Sequence, residues 1–309
     1  MNSNIRAAVV QAGSVPFDAD ATLQCLAEKA VEAAAQGAKL AVFPEAFIGG
    51  YPKGCTFSTP VGFRTPEARE AYRQYFEAAI EVPGTHTTRL EEIARENDLF
   101  IVVGVIEREL GTLYCTVLFI DPQQGLIGKH RKLMPTAAER LIWGFGDGST
   151  LPVLETPLGR IGAVICWENY MPMLRMAMYA KGIQLYCAPT ADDRDSWVAS
   201  MQHIALEGRC FVLSSCQYIT RGAYPTDYKC ELGDEPETVL LRGGSLIIDP
   251  LGNILAGPLY GTEGILYADL DMAQISRGKY DFDVAGHYAR PDIFRLLLDE
   301  NPKTPIIQA

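Results

Sequence analysis

The stretches "VLFIDPQQGLIG" (117–128) and "SLIIDPLGNILA" (245–256) share one pattern. Each is an apolar run, an Asp-Pro pair and a second apolar run, so each reads as strand, turn, strand. Asp121-Pro122 thus answers to Asp249-Pro250. A second echo lies upstream of each: "LAVFPEA" (40–46) matches "LYCAPTA" (185–191) around its proline. An Asp-Pro turn can recur by chance. Chance does not also repeat the order of elements around it.

That order does repeat. "IRAAVVQAG" (5–13) reads as a buried strand, and 18–37 as a helix that opens on acidic residues and stops at Gly37. A short strand over 38–47 is broken at Pro44. Helices follow over 66–81 and 86–97, then a strand over 99–109 and two strands joined by a turn over 112–133. The series then begins again. A strand lies in "GRIGAVICWE" (159–168), a helix over 173–182, a strand over 183–191, a helix over 195–209, a strand over 210–219, and strand–turn–strand over 243–258. Near-continuous Val/Ile/Leu runs belong to strands covered on both faces. The expected fold is α/β: a four-layer α-β-β-α sandwich with an internal pseudo-two-fold duplication, each half supplying one sheet and its outer helices. Residues 1–285 form one domain in this reading. Over 286–309 the pattern fades into a tail expected to pack at an oligomer interface.

Bulk composition narrows the function. The chain has 309 residues, 48% of them hydrophobic and 21% charged, close to the globular norm. A net charge of −11 argues against nucleic-acid or anionic-membrane partners; the one dense basic cluster is "KHRK" (129–132). No apolar run approaches the ~20 residues of a membrane span. The opening "MNSNIRAAVVQAG" lacks the charged and apolar regions of a signal peptide, so a cytoplasmic location is expected. The eight cysteines are scattered, without Cys-x-x-Cys or zinc-type spacing, and read as reduced thiols. No metal and no cofactor are expected.

Chemistry concentrates where apolar strands stop at polar residues. In "AVICWENYMP" (163–172), Cys166 ends an apolar run and opens a polar turn. A thiol there is held by a strand, can face a pocket, and has backbone N–H groups nearby to stabilise developing negative charge. Glu45, one residue past Pro44, ends another apolar run. Lys132 follows the 112–133 hairpin, and Glu139 comes seven residues later. Taken singly, each has a plain alternative: an inert core cysteine, a solvated carboxylate, a basic turn. Together, a thiol, a base and an ammonium at converging strand ends form a catalytic set. The four histidines, His86, His130, His203 and His287, lie in helical, basic or tail segments; only His130 is near the set, and a Cys-His mechanism is disfavoured.

Beyond "FPEAFIGGYP", "KHRKLMPT" and "CWENYMP", the segments "ERLIWGFGDGS", "ADDRDSWVASMQHIALEGRCFVLSS" and "GHYARPD" also match one pattern. From about residue 5 to about 292 the chain resembles the nitrilase branch of the carbon–nitrogen hydrolase superfamily. The resemblance implies the sandwich argued above and a catalytic set of Glu45, Lys132 and Cys166, with Glu139 as a second glutamate at the same site. It implies hydrolysis of an organic nitrile to the carboxylic acid and ammonia through a cysteine thioimidate and thioester, with water and a small-molecule nitrile as the reaction partners. It also implies a homodimer or higher homo-oligomer; a tail that stops soon after "GHYARPD" weighs against long spirals. Tyr51, Trp143, Trp167, Tyr170, Thr190, Trp197 and Met201 are candidates for the substrate pocket, and Glu168 for a structural cap of the turn after Cys166. The competing readings are an aliphatic amidase or carbamoylase on the same fold, and a non-catalytic scaffold.

Overall fold

The computed structural model describes residues 4–303. The first half of the chain builds β1 (Asn4–Gln11), α1 (Ala19–Ala35), β2 (Leu40–Val42), α2 (Pro66–Ala78), α3 (Thr85–Glu96), β3 (Phe100–Glu109), β4 (Thr112–Asp121) and β5 (Gly125–Arg131). The second half builds β6 (Val153–Thr156), β7 (Gly159–Ala163), α4 (Pro172–Ala180), β8 (Leu185–Thr190), α5 (Asp195–Gly208), β9 (Phe211–Cys216), β10 (Tyr218–Thr220), β11 (Val239–Ile248) and β12 (Ile254–Tyr260). β13 (Gly264–Asp271) and α6 (Ala273–Asp281) complete the elements.

The strands form two sheets. One has the order β13-β1-β2-β3-β4-β5. The other runs β10-β11-β9-β8-β7-β6, with β12 also paired to β11. In each, three parallel strands (β1-β2-β3 and β7-β8-β9) are extended by an antiparallel hairpin (β4-β5 and β11-β12). β13 and β6 flank the parallel strands antiparallel on the other side. This is the repeat legible in the two Asp-Pro segments. The paired turns share their chemistry: Asp121 Oδ1 accepts N–H bonds from Gln123 and Gln124, and Asp249 Oδ1 accepts them from Leu251 and Asn253.

Side chains alternate along each strand and so divide the core into layers. Phe100 and Val102 of β3 meet Leu185 and Cys187 of β8 and Phe211 and Leu213 of β9 between the sheets. The alternate residues Ile101 and Val103 pack outward on α1 and α3, and Tyr186, Ala188 and Val212 pack outward on α4 and α5. Both faces of these strands are therefore buried, which is why they lack polar alternation.

Several elements differ from the sequence expectation. β2 has three residues, because the chain turns away at Pro44 and Glu45. The strand expected over 210–219 divides into β9 and β10, and β10 pairs only with the first part of β11. β11 bends at Gly243 and Gly244, both at positive φ, a conformation glycine adopts without strain. β6, β13 and α6 carry no strong sequence signal. β13 follows β12 of the second sheet yet pairs with β1 of the first along its whole length, from Asn4↔Asp271 to Gln11↔Gly264, so the last strand closes the first sheet. Residues 286–303 form no helix or strand and are largely exposed; residues 304–309 of the expected tail lie outside the described residues. No helix among the described residues is long and apolar enough to cross a membrane.

Candidate active site

The β3-β4-β5 meander returns β5 to the direction of β2, so the ends of β2 and β5 reach the same edge of the first sheet. Glu45 follows β2 and Lys132 follows β5. The Glu45 turn lies directly on β3: Gly104 N–H donates to Pro44 O at 3.1 Å, and Phe47 N–H to Gly104 O at 2.8 Å. A Cβ on Gly104 would stand 2.4 Å from Pro44 O and 2.7 Å from Glu45 Cα, so this approach requires glycine. Ala46 completes the turn at φ 47°.

Lys132 points into the buried space between the sheets, its side chain wholly inaccessible. Its Nζ donates to Glu45 Oε1 at 2.7 Å and to Glu139 Oε2 at 2.8 Å. Glu139 sits in a single 3-10 turn, Ala137–Leu141, where its Oε2 also accepts from Thr136 N–H at 2.6 Å. The Tyr51 hydroxyl donates to Glu139 Oε1 at 2.7 Å. Glu45 Oε1 further receives a weak donor, Cys115 Sγ, at 3.5 Å, while its Oε2 is buried with no hydrogen-bond partner among the described residues.

Cys166 comes from the other sheet. It opens a 3-10 turn, Cys166–Tyr170, just past β7, and is 4% exposed. Its φ of 49° is left-handed, a strained conformation for a side-chain-bearing residue and one that clusters at functional sites. Asn169 holds the turn: its Nδ2 donates to Val164 O at 2.9 Å and Cys166 O at 2.8 Å, and its Oδ1 accepts from Tyr186 at 3.0 Å.

The charges are coupled. Burial raises the Glu45 pKa above the usual carboxylate range; Lys132 opposes the rise and Glu139 adds to it. Burial disfavours charge on Lys132, yet Glu45, Cys166 and Glu139 carry its net shift well upward, so it stays an ammonium. Burial pushes the Cys166 thiol up and Glu45 adds to this, while Lys132 and the Thr190 hydroxyl pull it down. The resting arrangement is a neutral thiol beside an ion pair, with a carboxylate that can take its proton. Among the described residues, no three His, Cys, Asp or Glu side chains converge as metal ligands would.

A family model for carbon-nitrogen hydrolases matches residues 6–280. The chain belongs to that family. Its relatives put it in the nitrilase branch. It is 62% identical to a nitrilase of Bradyrhizobium diazoefficiens, over 97% of this chain and 94% of the relative. It is 60% identical to an aliphatic nitrilase of Sinorhizobium fredii, over 99% of each. Among solved structures, Saccharomyces cerevisiae Nit3 shares the fold with a TM-score of 0.70 at 24% identity, covering 92% of this chain and 96% of that one.

Within this nitrilase-branch chain, Glu45, Lys132, Glu139 and Cys166 come together as the sequence suggested. The candidate pocket residues divide. Tyr51 reaches Glu139, and Trp143 packs edge-on to Tyr51 at 5.8 Å and 5.5 Å from Lys132 Nζ. Thr190, at the end of β8, lies beside Cys166 and corresponds to Glu45 in the duplicated half. Trp167 and Tyr170 are 42% and 38% exposed and meet edge-to-face; Trp167 Nε1 donates to Asp192 at 2.8 Å and its ring carries the Arg194 guanidinium. Trp197 and Met201 do not line the inter-sheet space. The inward face of α5 packs on the outer side of the second sheet, so Met201 is core there and Trp197 Nε1 donates to Ser214 at 2.9 Å. Trp197 meets Tyr170 edge-to-face at 5.9 Å. Glu168 caps the turn as expected, its Oε2 accepting from Ile165 N–H at 2.9 Å.

Sequence reasoning missed Gly104, Asn169 and Gln217. Gln217 Nε2 donates to the Glu45 carbonyl at 3.0 Å and its Oε1 accepts from Ser14 N–H at 3.1 Å, tying the Glu45 turn to the second sheet. The "GVIE" and "ENY" contexts of Gly104 and Asn169 were the available signals: a glycine inside a β-branched run, and an amide one turn past a thiol.

Proposed function

We propose that this protein is a nitrilase that converts an organic nitrile and two waters to a carboxylic acid and ammonia, with Cys166 as nucleophile. The observation that carries this reading is the wholly buried Glu45–Lys132 ion pair, joined by the half-buried Glu139 and facing a thiol held in a left-handed turn. The names of the two relatives above support the nitrile as substrate.

In the proposed course, the Cys166 proton passes to Glu45 as sulfur adds to the nitrile carbon, and Glu45 hands that proton on to the nitrile nitrogen, giving a thioimidate and a carboxylate ready to act again. Water, deprotonated by Glu45, adds to that carbon, and the tetrahedral nitrogen leaves as ammonia, giving a thioester. A second water, activated in the same way, releases the acid and returns the proton to sulfur. Lys132 stays charged throughout and stabilises negative charge as it develops. Glu139, tied to Tyr51 and Thr136, holds the ammonium in place. Incomplete loss of ammonia at the tetrahedral stage would release the amide as a side product.

The test is release of ammonia and carboxylate from a panel of nitriles and the matching amides, with Cys166→Ala alongside. Acid from nitriles, absent in the variant, is the expected result. Turnover of amides alone would make the protein an amidase or carbamoylase. No turnover of either, with Cys166 inert to alkylation, would leave a scaffold. The protein is further proposed to act in the cytoplasm as a homo-oligomer. All eight cysteines are free, as suits a reducing compartment, and the tail exposes Ile293, Phe294 and Leu297.

A further inference from the structure

His130 and Glu168 form a second buried charged pair that the reaction above does not use. Both side chains are wholly inaccessible, with His130 Nε2 2.9 Å from Glu168 Oε2. His130 lies on β5, two residues before Lys132. Glu168 lies two residues after Cys166, in the turn that leaves the other sheet. The carboxylate serves two backbones: Oε1 accepts from Leu133 N–H at 2.6 Å, and Oε2 from Ile165 N–H at 2.9 Å. Leu133 immediately follows Lys132, and Ile165 immediately precedes Cys166. One carboxylate therefore grips the backbone next to the ammonium and the backbone next to the thiol, across two sheets that share no strand pairing here.

We propose that His130 and Glu168 are a charged clamp that sets the placement of Lys132 against Cys166, so that both are positioning residues for the cysteine chemistry. The proposal rests on the reading of Cys166 as nucleophile. His130 is not a base for the thiol, because both ring nitrogens are engaged elsewhere. Nδ1 is 2.6 Å from the Thr150 carbonyl, which can only accept, so Nδ1 carries a proton. Nε2 lies 2.9 Å from Glu168 Oε2, an oxygen that already accepts from Ile165 N–H, so Nε2 donates as well. The ring is then an imidazolium. The groups facing it agree: burial and the Lys181 ammonium oppose its charge, but Glu168 and Thr150 outweigh them and raise its pKa. A buried ion pair is a poor way to gain stability, since apolar residues of the same volume serve as well. Its merit here is direction: the pair fixes two backbones relative to each other, and misplacement of reacting groups by about 1 Å can cost about 10²-fold in rate.

The experiment uses His130→Ala, His130→Gln and Glu168→Gln in the full chain. It reads kcat and KM on a nitrile, the rate of Cys166 alkylation by iodoacetamide, and circular dichroism. In folded variants, His130→Ala and Glu168→Gln are expected to lower kcat and the alkylation rate together, by about tenfold to about 10²-fold, with KM little changed. His130→Gln, which restores a neutral donor to Glu168, should recover part of the loss. Folded variants with wild-type kcat and alkylation would overturn the clamp and leave the pair as packing. Should the variants not fold, the wild type decides. Nitrogen NMR of labelled histidine, assigned by Gln substitution of His86, His203 and His287, should show His130 protonated on both nitrogens near neutral pH; a ring with one bare nitrogen sinks the proposal. Absence of nitrile turnover in the wild type would count against the reaction, not the clamp, which alkylation still tests.

Discussion

Lys132 carries one positive charge between the carboxylates of Glu45 and Glu139, at 2.7 and 2.8 Å. Burial raises the proton affinity of Glu45, the more deeply buried carboxylate, and Glu139 adds to the rise, which the single ammonium does not fully offset. This has a consequence for pH. A base works only when ionised, and a raised pKa keeps the proton on to higher pH. The acid limb of kcat/KM should therefore fall at a pH above ~4.3, the ordinary glutamate value. A pH–rate profile with its acid midpoint at or below that value would refute the assignment. The sign for stability is the reverse: an acid with a raised folded pKa favours the fold when protonated, and that contribution fades as pH rises through the folded pKa. Glu45→Gln, with no charge to bury, is expected to lose turnover yet unfold no earlier than the wild type near neutral pH.

At the scale of elements, the candidate residues Glu45, Lys132 and Cys166 occupy places where a strand gives way to a turn, and the turn is shaped by what lies beneath it. Glu45 rests on β3 only because residue 104 lacks a side chain. Gly104→Ala would force the Pro44–Ala46 turn outward, at a cost of about 1–3 kcal/mol typical of overpacking. Because the displaced segment carries Glu45, kcat should drop by about tenfold or more even in protein that remains folded. Normal kcat with a lowered melting temperature would show that the turn adjusts without moving the carboxylate. The Cys166 turn is held differently, by the Asn169 and Glu168 side chains, since a left-handed residue needs its surroundings to impose that conformation.

On the scale of the whole molecule, two similar sheets face one another, and each contributes half of the site: Glu45, Lys132 and Glu139 from one, Cys166 and Thr190 from the other. Polar side chains fasten the halves. Gln11 Oε1 accepts from Gly244 and Ser245 N–H at 3.0 Å each, and Ser215 Oγ donates to Val10 O at 2.6 Å. Ile293, Phe294 and Leu297 of the tail are exposed. If they form the proposed contact between copies, light scattering will report a dimer or larger species, and Phe294→Glu with Leu297→Glu will shift it toward the monomer. A wild-type monomer would end the oligomer reading.

The linear sequence by itself carried the two-fold repeat, the doubly buried strands, and Glu45, Lys132 and Cys166 as a candidate set, which Glu139 joined through the family resemblance. It could do so because these features are local. A continuous apolar run, an Asp-Pro turn, or a polar residue ending a strand is written within about ten positions. Tertiary structure alone decided the rest. β13 pairs with β1 across the full length of the chain, and half-exposed strands such as this carry little periodic signal. Trp197 and Met201 belong to the outer core because α5 presents that face to its sheet, and no local pattern distinguishes a core aromatic from a pocket aromatic. Gly104, Gln217 and the His130–Glu168 pair act through contacts between distant segments. Their roles follow from how close two backbones come in space, a quantity that the order of residues along one strand does not contain.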